Sequence, residues 1–151
     1  MPGEDPFAPD TGPNTTDLFQ HARDFEVLVL EVMRRFGYTV TDLAGRGDHG
    51  VDILAEKNGI RTAVQVKCYT NSVGVRAVQA TRYGMRTYQA AHAIVVTNSR
   101  FTHPAKALAR EEGVKLIDGA KLRGFLVPAE LEELTRIEAR AVIVAPQIAQ
   151  L

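Results

Sequence analysis

The stretch VDILAEKNGIRTAVQVKCY, Val51 to Tyr69, decides how this chain folds. At its centre Asn58-Gly59 is the strongest short signal for a two-residue hairpin, because both residues tolerate the positive φ that such a turn demands. Val51–Lys57 and Ile60–Tyr69 flank it with β-branched residues and are read as two antiparallel strands. With the turn placed there, Lys57 lies opposite Ile60, and counting outward sets Asp52 opposite Gln65. Paired residues share a face of the sheet, and Lys67, two positions beyond Gln65, shares it as well. Val51, Ile53, Val64 and Val66 are then expected on the other face. One side of the hairpin is apolar and suits a core; the other gathers a carboxylate, an amide and an ammonium. A β-bulge in either strand would move this count by one residue.

Upstream, Thr15 or Thr16 can cap a helix in which Leu18, Ala22, Phe25, Val29, Val32 and Phe36 recur at helical spacing, with Gly37 as its end. On the same helix the line Phe19, Arg23, Glu26, Leu30, Met33 sets Glu26 among apolar neighbours. Tyr38–Leu43 reads as a short strand and Ala44–Gly50 as a glycine-punctuated loop. Downstream, the expectation is a helix over Val75–Gln89 and a buried strand over His92–Thr97. A helix over Thr102–Glu112 follows, with Thr102 as its cap, then a strand over Val114–Ile117 and helical structure from Ala120. Pro128 opens a charged helix to about Arg140, before the apolar run Ala141–Leu151. This order predicts an α/β sandwich of three layers, a mixed central sheet flanked by helices. The expected organisation is a flexible leader over residues 1–15, one globular domain over 16–127, and a C-terminal helical extension over 128–151 suited to oligomerisation.

With 151 residues the chain can enclose a hydrophobic core without disulfides or a structural metal. No apolar run reaches the roughly 20 residues of a membrane-spanning helix, so no membrane partner is expected. Met1–Pro13 carries acids and prolines where a secretory signal needs basic and then apolar residues. Cys68 is the single cysteine. It has no internal disulfide partner, and together these features point to the cytoplasm. The formal net charge is zero, but its distribution is uneven. No acid occurs between Glu56 and Glu111, while Lys57, Arg61, Lys67, Arg76, Arg82, Arg86, Arg100, Lys106 and Arg110 all do. That interval is expected to project positive potential suited to a phosphate backbone, with Arg76 a candidate substrate contact.

A carboxylate and an amide oxygen are hard ligands appropriate for magnesium. Beside them a lysine can stabilise the negative charge that develops as a phosphodiester is hydrolysed. Gln65 is neutral, so a further acid is wanted, and Glu26 is the candidate. Asp48 and His49 in the glycine-rich loop can reach phosphate or metal, though turn chemistry accounts for Asp48 equally well. Tyr69 returns to the site face. Cys68 points the other way and is expected to be a small core residue.

The run Gly45-Arg46-Gly47-Asp48-His49-Gly50-Val51-Asp52-Ile53, followed by Gln65-Val66-Lys67-Cys68-Tyr69, resembles the catalytic core of Mrr-type restriction endonucleases, a branch of the PD-(D/E)xK nuclease superfamily. The likeness continues in order through Phe25-Glu26, Val78-Gln79, Val95-Val96-Thr97 with Phe101-Thr102 and Ala105, and Leu116-Ile117-Asp118-Gly119. The resemblance implies a restriction-endonuclease-like fold and a DNA endonuclease using magnesium, with manganese able to substitute and no organic cofactor. It implies Asp52 as principal metal ligand, Gln65 where most of the superfamily has Glu or Asp, Lys67 as the catalytic lysine, and Glu26 as part of the site. His49, Tyr69, Arg76 and Gln79 are the candidate substrate contacts. A homodimer is expected, since cutting both strands usually needs two centres. Restriction, repair and junction processing are the roles in view. The alternative is a catalytically weak DNA-binding module on the same fold.

Overall fold

The computed structural model describes residues 15–43 and 50–148, with side chains described for 21–43 and 50–140. The leader, the loop stretch carrying Asp48 and His49, and the side chains of Ala141–Leu151 lie outside the described residues. A long helix, α1 (Thr15–Arg35), is followed by the strand β1 (Thr39–Asp42) and the hairpin strands β2 (Ile53–Lys57) and β3 (Ile60–Lys67). Then come α2 (Val75–Thr87), β4 (His92–Thr97), α3 (His103–Glu112), β5 (Lys115–Ile117), the short α4 (Gly119–Arg123) and α5 (Pro128–Ile148).

The five strands form one mixed sheet in the order β1-β2-β3-β4-β5. β1, β2 and β3 are antiparallel neighbours, whereas β4 and β5 join parallel through the crossover helices α2 and α3. The hairpin turns at Asn58 and Gly59, both with positive φ, and Lys57 pairs with Ile60 as the turn dictates. Helices cover both faces, giving three layers. On one face Ile53, Ala55, Val64, Val66 and Val96 pack with Phe25, Leu28, Val29 and Val32 of α1, and with Leu134 and Ile137 of α5. On the other, Ala93 and Val95 pack with Ala77 and Val78 of α2 and Ala105 and Ala109 of α3.

Three expectations change on folding. Ala22 and Phe36 are exposed, while Leu28 and Leu30 are buried, because α1 is covered by α5 as well as by the sheet. The C-terminal helix does not stop near Arg140 but continues to Ile148. It is joined to α1 where Arg35 donates to Glu130 at 2.7 Å and to the Phe125 carbonyl at 2.5 Å. Val51 is not on the face of Ile53 and Val64: it packs with Leu43 and Ala63, against Met85 of α2. The cause is a break in the ladder beside it. The Asp52 amide donates to the Val64 carbonyl at 2.8 Å, the residue already paired with Ile53, so strict alternation ends at Ile53. Among the described residues no helix is long and apolar enough to cross a membrane.

Candidate active site

The break at Asp52 is what assembles the site. β2 begins only at Ile53, so the Val66 N–H has no β2 strand residue to pair with, and the Asp52 carboxylate accepts from it at 2.7 Å. Asp52 is thereby bonded to both residues that flank Gln65. Gly50, just before it, has φ 65° and presses on α2 so closely that a Cβ there would lie 2.5 Å from the Cβ of Ala80. Only glycine permits that approach, which brings the loop end carrying Asp52 down onto the sheet.

Burial holds the Asp52 carboxyl above its ordinary range, opposed by the Val66 hydrogen bond and the Lys67 charge, with Asp42 adding to the rise. Glu26 reaches the same place from α1. Its carboxyl is also pushed up, first by burial and then by the negative charge of Asp52; Arg23 counters this by donating at 3.2 Å. Arg23 spans the gap to β1, where it donates to Asp42 at 3.0 Å. Two acids are thus held close enough to repel each other, with one arginine and one lysine at their margin.

Gln65 and Lys67 lie on the α2 side of the sheet, as the hairpin count predicts. Together with Tyr69, Gly74, Arg76 and Ala80 they line an open cavity of about 510 Å³. Gln65 is buried, and its Oε1 lies 2.7 Å from the hydroxyl of Thr81. The Lys67 ammonium sits 5.8 Å from the centre of the Tyr69 ring, a cation–π contact that restrains it. Lys67 is the common member, coupled to Asp52 on one side and lining the cavity with Gln65 on the other.

A divalent cation fits this donor set by its chemistry: two carboxylates that disfavour each other's charge, an amide, and no soft ligand. Among the described residues no three His, Cys, Asp or Glu side chains come together to hold an ion by themselves. Cys68 packs against the α1 face, 3.0 Å from His21 Nε2, and burial pushes its thiol up to about 12. It stays protonated at neutral pH and is no nucleophile.

A family model described as restriction endonuclease, the Mrr catalytic domain, matches residues 20–126. The chain belongs to the Mrr-type restriction endonucleases. The type IV methyl-directed restriction enzyme EcoKMrr of Escherichia coli strain K12 is 33% identical over 122 residues, covering 75% of this chain and 40% of that enzyme's length. The Mrr-type chain thus spans well under two thirds of this relative. Among solved structures it is similar to AF1548, described as a protein of unknown function, with a TM-score of 0.54 and 18% identity over 65% of this chain and 57% of the other. It is also similar to the MspJI restriction endonuclease in complex with a 27-mer oligonucleotide, with a TM-score of 0.51 and 19% identity over 88% of this chain and 35% of that one. These likenesses establish the restriction-endonuclease-like fold.

Of the residues singled out in this Mrr-type sequence, Asp52, Glu26 and Lys67 are electrostatically coupled, and Gln65, Lys67, Tyr69 and Arg76 share the cavity. His49 lies outside the described residues. Gln79 is exposed and stands apart from them, in a groove between α2 and α3 with Arg82, Tyr83, Arg86, Leu108 and Glu112. Thr102 caps α3 by accepting from Ala105 N at 3.2 Å. Asp42 and Thr81 were not among the residues singled out; nor was Tyr83 on the outer side of α2, and its neighbour Arg86 entered only as part of the basic interval. The last pair had a signal: positions 76, 79, 83 and 86 recur at helical spacing. Thr81 had none.

The raised carboxyls have a consequence for stability without metal. A carboxyl whose folded pKa lies above its unfolded value, about 4, contributes stability fully below that value and loses it as pH rises through the folded one. In EDTA the melting temperature is expected to fall as pH rises across this window. Glu26→Gln should flatten that fall and melt a few degrees higher at neutral pH; an identical pH profile for the two proteins would show that Glu26 is not under electrostatic stress.

Proposed function

We propose that this chain is the catalytic unit of an endonuclease that hydrolyses DNA phosphodiester bonds with magnesium or manganese, using Asp52, Glu26, Gln65 and Lys67. The observation that carries the reading is the pairing of two mutually repelling, half-buried carboxylates with a lysine that also lines an open cavity. Asp52, Glu26 and the amide oxygen of Gln65 would hold the cation. When bound, it supplies a polarised water and neutralises charge on the scissile phosphate. Lys67, restrained by Tyr69, sets a fixed positive charge where the phosphate gains negative charge in the transition state. Arg76 at the cavity wall holds a neighbouring phosphate and fixes the strand's position. A homodimer would supply a centre for each strand of a duplex.

Incubation of the purified chain with supercoiled plasmid tests this. Nicked or linear DNA should appear with magnesium or manganese and not in EDTA. DNA that is bound but left uncut with either metal would replace the enzyme by a DNA-binding module.

From the cavity the exposed face of α2 continues as Arg76, Gln79, Tyr83 and Arg86. Ten residues of helix cover about 15 Å, comparable to about four base-pair steps. We propose that one DNA strand follows this line. Changing both Arg76 and Arg86 to alanine should weaken DNA binding several-fold and lower the salt dependence of log K by about 0.9 per arginine; a salt slope equal to that of the native protein would place the DNA elsewhere.

A further inference from the structure

Thr81 is fully buried in the middle of α2, and its hydroxyl oxygen makes two contacts of equal length. One is 2.7 Å to the carbonyl oxygen of Ala77, one helical turn back, and the other is 2.7 Å to Oε1 of Gln65. A hydroxyl carries one proton. If that proton went to an oxygen of Gln65, Thr81 and Ala77 would face each other as two bare oxygens at 2.7 Å. If it goes to Ala77, the usual bond of a threonine inside a helix, the group approaching from Gln65 has to be a donor. The two ends of an amide have nearly the same shape, and hydrogen-bond partners decide which is which. The proton count therefore favours exchanging the two ends of the amide, with nitrogen rather than Oε1 against Thr81 and the oxygen as the other end of a side chain that lines the cavity with Lys67.

We propose that Thr81 is a positioning residue that holds the Gln65 carboxamide with its oxygen outward, as a donor for the divalent cation. A glutamate would need no such device, because both ends of a carboxylate are oxygen. A glutamine presenting its NH₂ group would repel a cation. Thr81 is thus what lets a neutral side chain serve at this position. The inference rests on the metal-site reading of Gln65 given above.

Binding of Mn²⁺ to the full chain, followed by loss of the free-ion paramagnetic resonance signal, tests it without reference to cleavage. Thr81→Val should weaken Mn²⁺ binding about 10-fold or more, the loss typical when a group supporting a metal ligand is removed, while Thr81→Ser restores most of it. The Mn²⁺ concentration for half-maximal cleavage should move in parallel, with DNA affinity unchanged. In a Gln65→Glu background the same Thr81→Val change should have little effect on Mn²⁺ binding, whereas a packing defect would appear equally in both backgrounds. Thr81→Ala carries the same expectation should valine prevent folding. Native-like Mn²⁺ binding by the valine and alanine variants, or an equal penalty in the glutamate background, overturns the positioning role alone. A native protein that binds no Mn²⁺ overturns the metal site, and this role with it.

Discussion

Asp52→Asn is expected to lower DNA cleavage by about 10²–10³-fold, the loss found when a group that stabilises transition-state charge is removed, and at the same time to raise the melting temperature of the metal-free protein. The two effects have one cause. The Asp52 carboxyl is raised by burial and lies beside Glu26, so its negative charge is unfavourable until a cation offsets it. Asparagine has the same shape and can still accept from the Val66 amide, so the loop geometry at Gly50–Ile53 is kept. What disappears is charge: on the proposed reading the cation loses its main ligand, and Glu26 loses a repelling neighbour. Native protein should gain stability from added magnesium by binding linkage, and the variant should not. Plasmid cleavage and thermal melts with and without metal read both effects. An Asp52→Asn protein that cuts within a few-fold of native would remove Asp52 from the chemistry. One that is inactive but melts lower in EDTA would mean that the residue serves the fold first.

Ile137→Ala is expected to destabilise the protein by about 2–5 kcal/mol, the range for deleting a buried aliphatic side chain, equivalent to a fall in melting temperature of roughly 5–15 °C for a chain of this size. Ile137 is fully buried in the cluster that contains Phe25, Val64 and Val96. That cluster also holds residues of α1 and of the sheet's first face, and α1 carries Glu26. Leu131, a turn and a half earlier on the same helix, is 37% exposed, and its alanine variant should shift stability far less. Calorimetry of the two variants separates a helix built into the core from one merely laid on it. Equal melts for Ile137→Ala and the native protein would mean that α5 is dispensable to the domain.

Much of the site was legible because strand geometry is strict. A two-residue turn at Asn58-Gly59 permits one register, and a period of two then sorts every side chain, so the common face of Gln65 and Lys67 follows from counting. The count failed at Val51 and Asp52 because the ladder breaks there, and a break is set by what presses on the loop. Here that is α2, through the contact of Gly50 with Ala80. The first-helix acid was read from its spacing, but its clamp by Arg23 and the nearness of Asp42 were not. Those depend on how α1 crosses β1, which no periodicity records.

By itself, then, the sequence determined the α/β layering and the hairpin, since each rests on local turn geometry or on a repeat along one element, and the family, through the resemblance of its motifs. The tertiary structure alone decided which face Val51 takes, that α5 closes the core, that Asp52 and Glu26 share one field, and that Gln65 rests on Thr81. Each of these is a contact between elements distant in the chain, and its energy depends on distances that exist only once the helices have packed on the sheet.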